Sequence, residues 1–169
     1  MSAWKTLAGL TAAAMALGAC TDGGNQRQPL EREEPRAVPA SYRTAISSYE
    51  PEETLDRLLQ AMDRRDLTIF AVIDHQAGAS QAELEMPFAT VVVFGAPRMG
   101  TPLMQTVPQL AAELPLRAAV YVDGDETYVA VTSVKTLRRS YPALDGEAER
   151  LSTIGENLSH LLAEATGSD

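Results

Sequence analysis

Two runs, Leu116 to Val122 and Thr127 to Ser133, are rich in Val, Ala and Tyr and are joined through Asp123-Gly124-Asp125-Glu126. This is the pattern of an antiparallel hairpin. It constrains the fold more than any other feature, because strand periodicity sorts side chains by face. A four-residue loop and a two-residue Gly124-Asp125 turn give the same register, with Val122 opposite Thr127. Val120, Val122, Val129 and Val131 then share one face, while Arg117, Ala119, Tyr121, Tyr128 and Ala130 share the other. A sheet with an apolar face needs a second layer over it. Two helical stripes supply one: Leu55, Leu58, Leu59 and Met62, and, after Asp145, Leu151, Ile154, Leu158 and Leu161. Glu52 and Glu53 lie near the start of the first and Arg64 and Arg65 at its far end, as the helix dipole favours. The expected fold is α+β: a single small domain, mainly antiparallel sheet with helices packed on one face.

Further strands are expected at Thr68 to Asp74, with Ile69 and Ile73 on one face and Phe70 and Val72 on the other, and at Phe88 to Phe94, preceded by a short one at Ala82 to Met86. The segment Gly95 to Pro102 reads as a turn into a helix, with Thr101 as N-cap and Pro102 in the first helical position. Pro108 falls inside the helical pattern that follows and predicts a kink or two short pieces.

The N-terminus concerns address. Lys5 precedes an apolar run from Leu7 to Leu17, which is too short to span a bilayer and reads as a secretion signal over residues 1–19. Leu17-Gly18-Ala19-Cys20 resembles the lipobox of bacterial lipoproteins. That resemblance implies lipidation of Cys20, a membrane anchor and a place in the cell envelope, on the periplasmic side. Thr21, not an acidic residue, follows Cys20 and points to the outer membrane. Cys20 is the only cysteine, so no disulfide partner competes for it. The plainer alternative is an ordinary leader cut after Ala16 or Ala19, with Cys20 incidental. Residues 20–47 carry Gly23, Gly24, Pro29, Pro35 and Pro39 among mixed charges and read as a flexible tether, leaving 48–169 as the globular domain. The net charge of −9 argues against nucleic acid as a partner.

Three segments together resemble the domain of unknown function family 302 (DUF302): Thr68-Ile-Phe-Ala-Val-Ile-Asp-His75, Phe94-Gly-Ala-Pro-Arg-Met-Gly-Thr-Pro-Leu-Met104 and Leu114-Pro-Leu116. The likeness implies a small α+β domain and no agreed biochemical activity. It weakens after the hairpin, where Val131-Thr132-Ser133 stands in place of an aromatic-Asn-Pro run.

Candidate chemistry is sparse. Asp74 and His75 read either as a base or metal-ligand pair, joined by Glu83 or Glu85, or as a turn cap beside a histidine satisfied by backbone. His160 falls on the solvated face of the last helix. Two histidines and one cysteine exclude classical zinc sites on ligand count, and a lipidated Cys20 excludes a cysteine nucleophile. His75 with Met86, Met99 and Met104 is a soft-metal set on paper, but Met is more often core filler. Gly95, Arg98, Gly100 and Thr101 could present N–H groups and one cation to an anion or small ligand. Tyr121 and Tyr128 are expected to face each other across the hairpin, either as a contact face for a homodimer or ligand or as simple hairpin support. No cofactor and no metal are expected. The reading is a membrane-tethered, non-catalytic binding or interaction module, with an enzyme or metal protein centred on Asp74, His75 and the Gly95–Thr101 turn as the alternative.

Overall fold

The computed structural model describes residues 41–168; the expected signal segment, Cys20 and most of the expected tether lie outside them. The described chain forms a five-stranded antiparallel sheet in the order β1-β5-β4-β3-β2. The strands are β1 (Tyr42–Ile46), β2 (Thr68–Asp74), β3 (Ala89–Gly95), β4 (Leu116–Asp123) and β5 (Glu126–Thr132). The helices are α1 (Pro51–Asp63), α2 (His75–Gln81), α3 (Pro97–Thr106), α4 (Val134–Ser140) and α5 (Ala148–Thr166), with 3-10 segments at Pro108–Ala112 and Pro142–Glu147. The fold is α+β, as the hairpin and the two stripes predict.

The β4–β5 hairpin has the expected register, with Val122 opposite Thr127 and Tyr121 opposite Tyr128. Gly124 has φ +62° and alone of the two turn residues is positive, the sign pattern of a type II′ turn that matches strand twist. Val120, Val129 and Val131 are fully buried beneath the helices, together with Val92 and Phe94 of β3. Val122, next to the turn, is only half-buried. Leu58 and Met62 of α1 and Leu161 of α5 complete this core with no exposure.

α1 and α5 also lock to each other. Glu164 of α5 accepts from Arg64 Nη2 at 2.9 Å and from both Nη atoms of Arg65, while Arg65 Nη1 donates 2.9 Å to the Ala61 carbonyl near the end of α1. These hydrogen bonds, from Arg65 first and then Arg64, lower the Glu164 pKa from 4.5 to about 2. α5 ends at Gly167 with φ +71°, where a Cβ would come within 2.8 Å of the Tyr49 ring. Glycine is the residue this left-handed cap requires.

Several sequence expectations need correction. The tether does not run to residue 47, because Tyr42–Ile46 pairs with β5 along its whole length. No strand forms at Ala82 to Met86; α2 occupies His75–Gln81 and an irregular segment follows. A bulge between Ile69 and Ala71 breaks the simple alternation of β2. Ile69 therefore opposes Phe94 on the helix-covered face, whereas Ile73 opposes Val91 on the open one. α3 starts at Pro97 and not at Pro102, which lies inside it. Pro97 suits the first helical position equally well, and its preceding Ala96 carbonyl already accepts from Gly100 N–H at 3.0 Å. The expected break at Pro108 is present as two separate pieces, α3 and the 3-10 segment.

Candidate functional site

The Gly95–Thr101 turn borders an apolar cleft, a cavity of about 230 Å³. Its walls include Phe70 and Phe94 from the sheet, Gly95, Gly100 and Met104 from the turn and α3, and Leu158 from α5. Leu114-Pro115-Leu116, with a cis Leu114–Pro115 bond, also borders it. Phe70, at the bulge of β2, reaches the cavity, and Gly95 and Gly100 border it without side chains. A Cβ on Gly95 would meet Phe70 Cε2 at 3.7 Å and one on Gly100 would meet Leu114 Cδ1 at 3.5 Å, both ordinary contacts. Neither glycine is therefore demanded by sterics at its own Cβ; what each leaves is volume.

Thr101 and Asn157 are the only polar side chains in the lining, and no charged group takes part. Arg98 is exposed and is not part of the wall, so the turn does not build the anion cradle that Gly95, Arg98, Gly100 and Thr101 suggest. An apolar cavity of about 150 Å³ can already hold a benzene ring. This one has the volume for a ring or a short aliphatic chain, with Thr101 and Asn157 in its lining.

Asp74 and His75 sit at the other end of the β2–β3 pair. Thr68 opposes Gly95 beside the cavity, and Asp74 opposes Thr90. Six residue steps of strand separate them, about 20 Å. The Asp74 carboxylate is committed locally: Oδ1 accepts from Ala77 N–H at 2.8 Å and caps α2. His75 is exposed on the first turn of that helix. Glu85 lines a shallow hollow with Asp74, Gln76 and Met86, while Glu83 is exposed at φ +58°. Met99 and Met104 line the apolar cavity, so the His75–methionine set is divided between the two ends. No group of three His, Cys, Asp or Glu able to hold a metal occurs among the described residues. His160 is exposed on α5, as its position on the helix predicts.

Tyr121 and Tyr128 stack on the open face of the sheet, with ring centroids 5.3 Å apart and planes inclined by 13°. Both are half-buried, and Ala130 beside them is buried. The Tyr121 phenol is raised above its ordinary pKa by burial first, then by Tyr128 and Asp123.

The cavity itself is not evident in the sequence. Leu151, Ile154, Leu158 and Leu161 read as core, and all four line it. Helical spacing marks a side chain as apolar-facing, but it does not distinguish contact with a neighbour from contact with empty space.

Comparison with known proteins agrees with the fold. The family model described as "Domain of unknown function DUF302" matches residues 43–165. A crystal structure of an uncharacterized conserved DUF302 protein from Bacillus stearothermophilus superposes with a TM-score of 0.66 at 16% identity, covering 75% of this chain and 98% of that one. Proteins named fluoride-specific ion channel FluC 1 from Brucella suis and from Brucella abortus are each 35% identical over 81 residues. The match covers 48% of this chain and 32% and 30% of those proteins, so the chain spans about a third of the length of these curated relatives.

Proposed function

Because the chain belongs to the DUF302 family, whose description assigns no activity, we propose a function from its own geometry. The protein is a membrane-tethered, non-catalytic module of the bacterial cell envelope that holds an apolar ligand in the cavity between β3, α3 and α5. The observation that carries this reading is the cavity itself, apolar throughout save for Thr101 and Asn157. Burial is the main attraction such a site offers, worth roughly 25 cal/mol per Å² of apolar surface removed from water. Lipid on Cys20 supplies the anchor and keeps the cavity beside a source of acyl chains.

The relatives named as fluoride-specific ion channels support the membrane-side part of this reading. Ion conduction is not part of it: the match covers under a third of the Brucella abortus protein, and no helix among the described residues is long and apolar enough to cross a membrane. Nor does the geometry favour an enzyme centred on Asp74, His75 and the Gly95–Thr101 turn, since these lie at opposite ends of the β2–β3 pair.

Two measurements test the reading. A short fluorescent acyl probe should bind the full chain, and Gly100→Leu, which fills the cavity, should weaken binding at least tenfold with little change in melting temperature. Equal binding by both proteins places the ligand elsewhere. Metabolic labelling with an alkyne fatty acid should mark the full chain and spare Cys20→Ser; label that persists on the variant moves the anchor to another residue.

A further inference from the structure

We infer that the ligand of the apolar cavity carries an uncharged, hydrogen-bond-accepting head, of the ester or alcohol class, and that Arg150 receives it. This rests on the reading of the cavity as a ligand site and adds the group that its deepest walls do not hold. Those walls are Phe94, Leu103, Leu151, Leu158 and Leu161, each at most 4% exposed and none with a polar side-chain atom. A ligand with a polar group must therefore keep it at one end.

One end has a place for it. Met99 lines the cavity and also lines a second, polar hollow with Glu147, Glu149, Arg150 and Thr153. Helix α5 borders both: Leu151 and Ile154 line the cavity, and Arg150 and Thr153, each one residue earlier, line the hollow. Met99 is the side chain common to the two, unbranched and flexible, and a change of its rotamer joins them. Arg150 Nη1 donates to Met99 Sδ at 4.0 Å, a weak acceptor. Its Nε donates to Glu147 at 2.9 Å, and Nη2 makes no hydrogen bond among the described residues. The guanidinium thus stands against a wall residue of the cavity with donors to spare, and at 32% exposure it is within reach of an incoming group.

Charge decides the class of head. The hollow holds one cation and two carboxylates, and the cation is already paired with Glu147. A ligand carboxylate would add a further negative charge beside Glu147 and Glu149, and like charges at short range disfavour one another. An ester carbonyl or a hydroxyl accepts from Nη1 or Nη2 and adds no charge.

Competition against the short fluorescent acyl probe, on the full chain and on Arg150→Gln, tests this. The competitors are methyl hexanoate, hexanoate, hexylamine and toluene, the last a filler with no head. Methyl hexanoate should displace the probe best of the three chains, and Arg150→Gln should weaken it about fivefold, the loss of one modest hydrogen bond. Toluene should bind both proteins equally, and Arg150→Lys should recover most of the ester binding. Three outcomes overturn the proposal and leave the cavity reading standing: hexanoate or hexylamine binding the unsubstituted chain as tightly as the ester, an ester affinity unchanged in Arg150→Gln, or a loss shared equally by toluene, which would make Arg150 a support of the wall. If no competitor, toluene included, displaces the probe, the cavity reading fails and this proposal fails with it.

Discussion

The sheet is covered unevenly. β4 and β5 lie under α1 and α5, and their inward residues Val120, Val129 and Val131 have no exposure at all. Two strands away, β2 has the same kind of sequence and the same antiparallel pairing, yet every residue in it is exposed. Backbone pairing is common to both regions, so it does not set them apart. Side-chain burial does: no residue of β2 is buried. Stability is concentrated in the covered part; exposed apolar surface is concentrated at the flank.

Three experiments sharpen this contrast. The largest effect belongs to the covered part: Leu161→Ala removes a fully buried side chain of α5 and should cost about 2–5 kcal/mol in denaturant unfolding. Val72→Ala on β2, half exposed, should cost well under half of that. Comparable losses would mean that β2 is packed as tightly as the core and would dissolve the contrast. A middle effect belongs to the flank: Asp74→Ala deletes the N-cap of α2 and should cost about 1 kcal/mol. His75→Asn, at an exposed position next to it, should stay within about 0.5 kcal/mol. A larger His75 effect would reveal a partner outside the described residues.

The smallest effect is pH-dependent and lies at the α1–α5 clamp. The Glu164 pKa is depressed in the folded state, from 4.5 to about 2. Its contribution is thus complete above about pH 4.5 and is lost as pH falls toward 2. The side chain is 41% exposed, and solvent screening reduces the gain to about 1 kcal/mol or less. The stability difference between wild type and Glu164→Gln, measured across this window, should shrink as pH falls; a difference that stays constant would assign the clamp's value to packing.

The same contrast explains what the sequence reveals. The β4–β5 hairpin and the stripes of α1 and α5 are legible because burial imposes period on them: Leu58, Met62, Leu158 and Leu161 recur where the core needs them. α2 has no buried residue and hence no period, and its one mark is the Asp74 cap. β1 is short, and its partner β5 lies far along the chain, so local composition assigns it to the tether. α3 offers two prolines able to start a helix, Pro97 and Pro102, and local rules do not rank them. Of the two readings of Asp74 and His75, the cap is the one the structure bears out: a strand end followed by a helix spends Asp74 on the cap and leaves His75 in solvent. The cavity is a property of three separate segments meeting imperfectly, and no one of them records it.

The pairing of β1 with β5 has a consequence for the order of events as the chain is made. Tyr42 opposes Thr132, with most of the domain between them in sequence. A ribosome delivers β1 before any other strand and its neighbour after all the rest. β1 must therefore wait, and the sheet closes at that edge only when a long loop has been brought together, the slow kind of step in folding. Until then the first strand remains an unmatched stretch of chain, and the domain has no finished edge on the side from which its N-terminal segment departs.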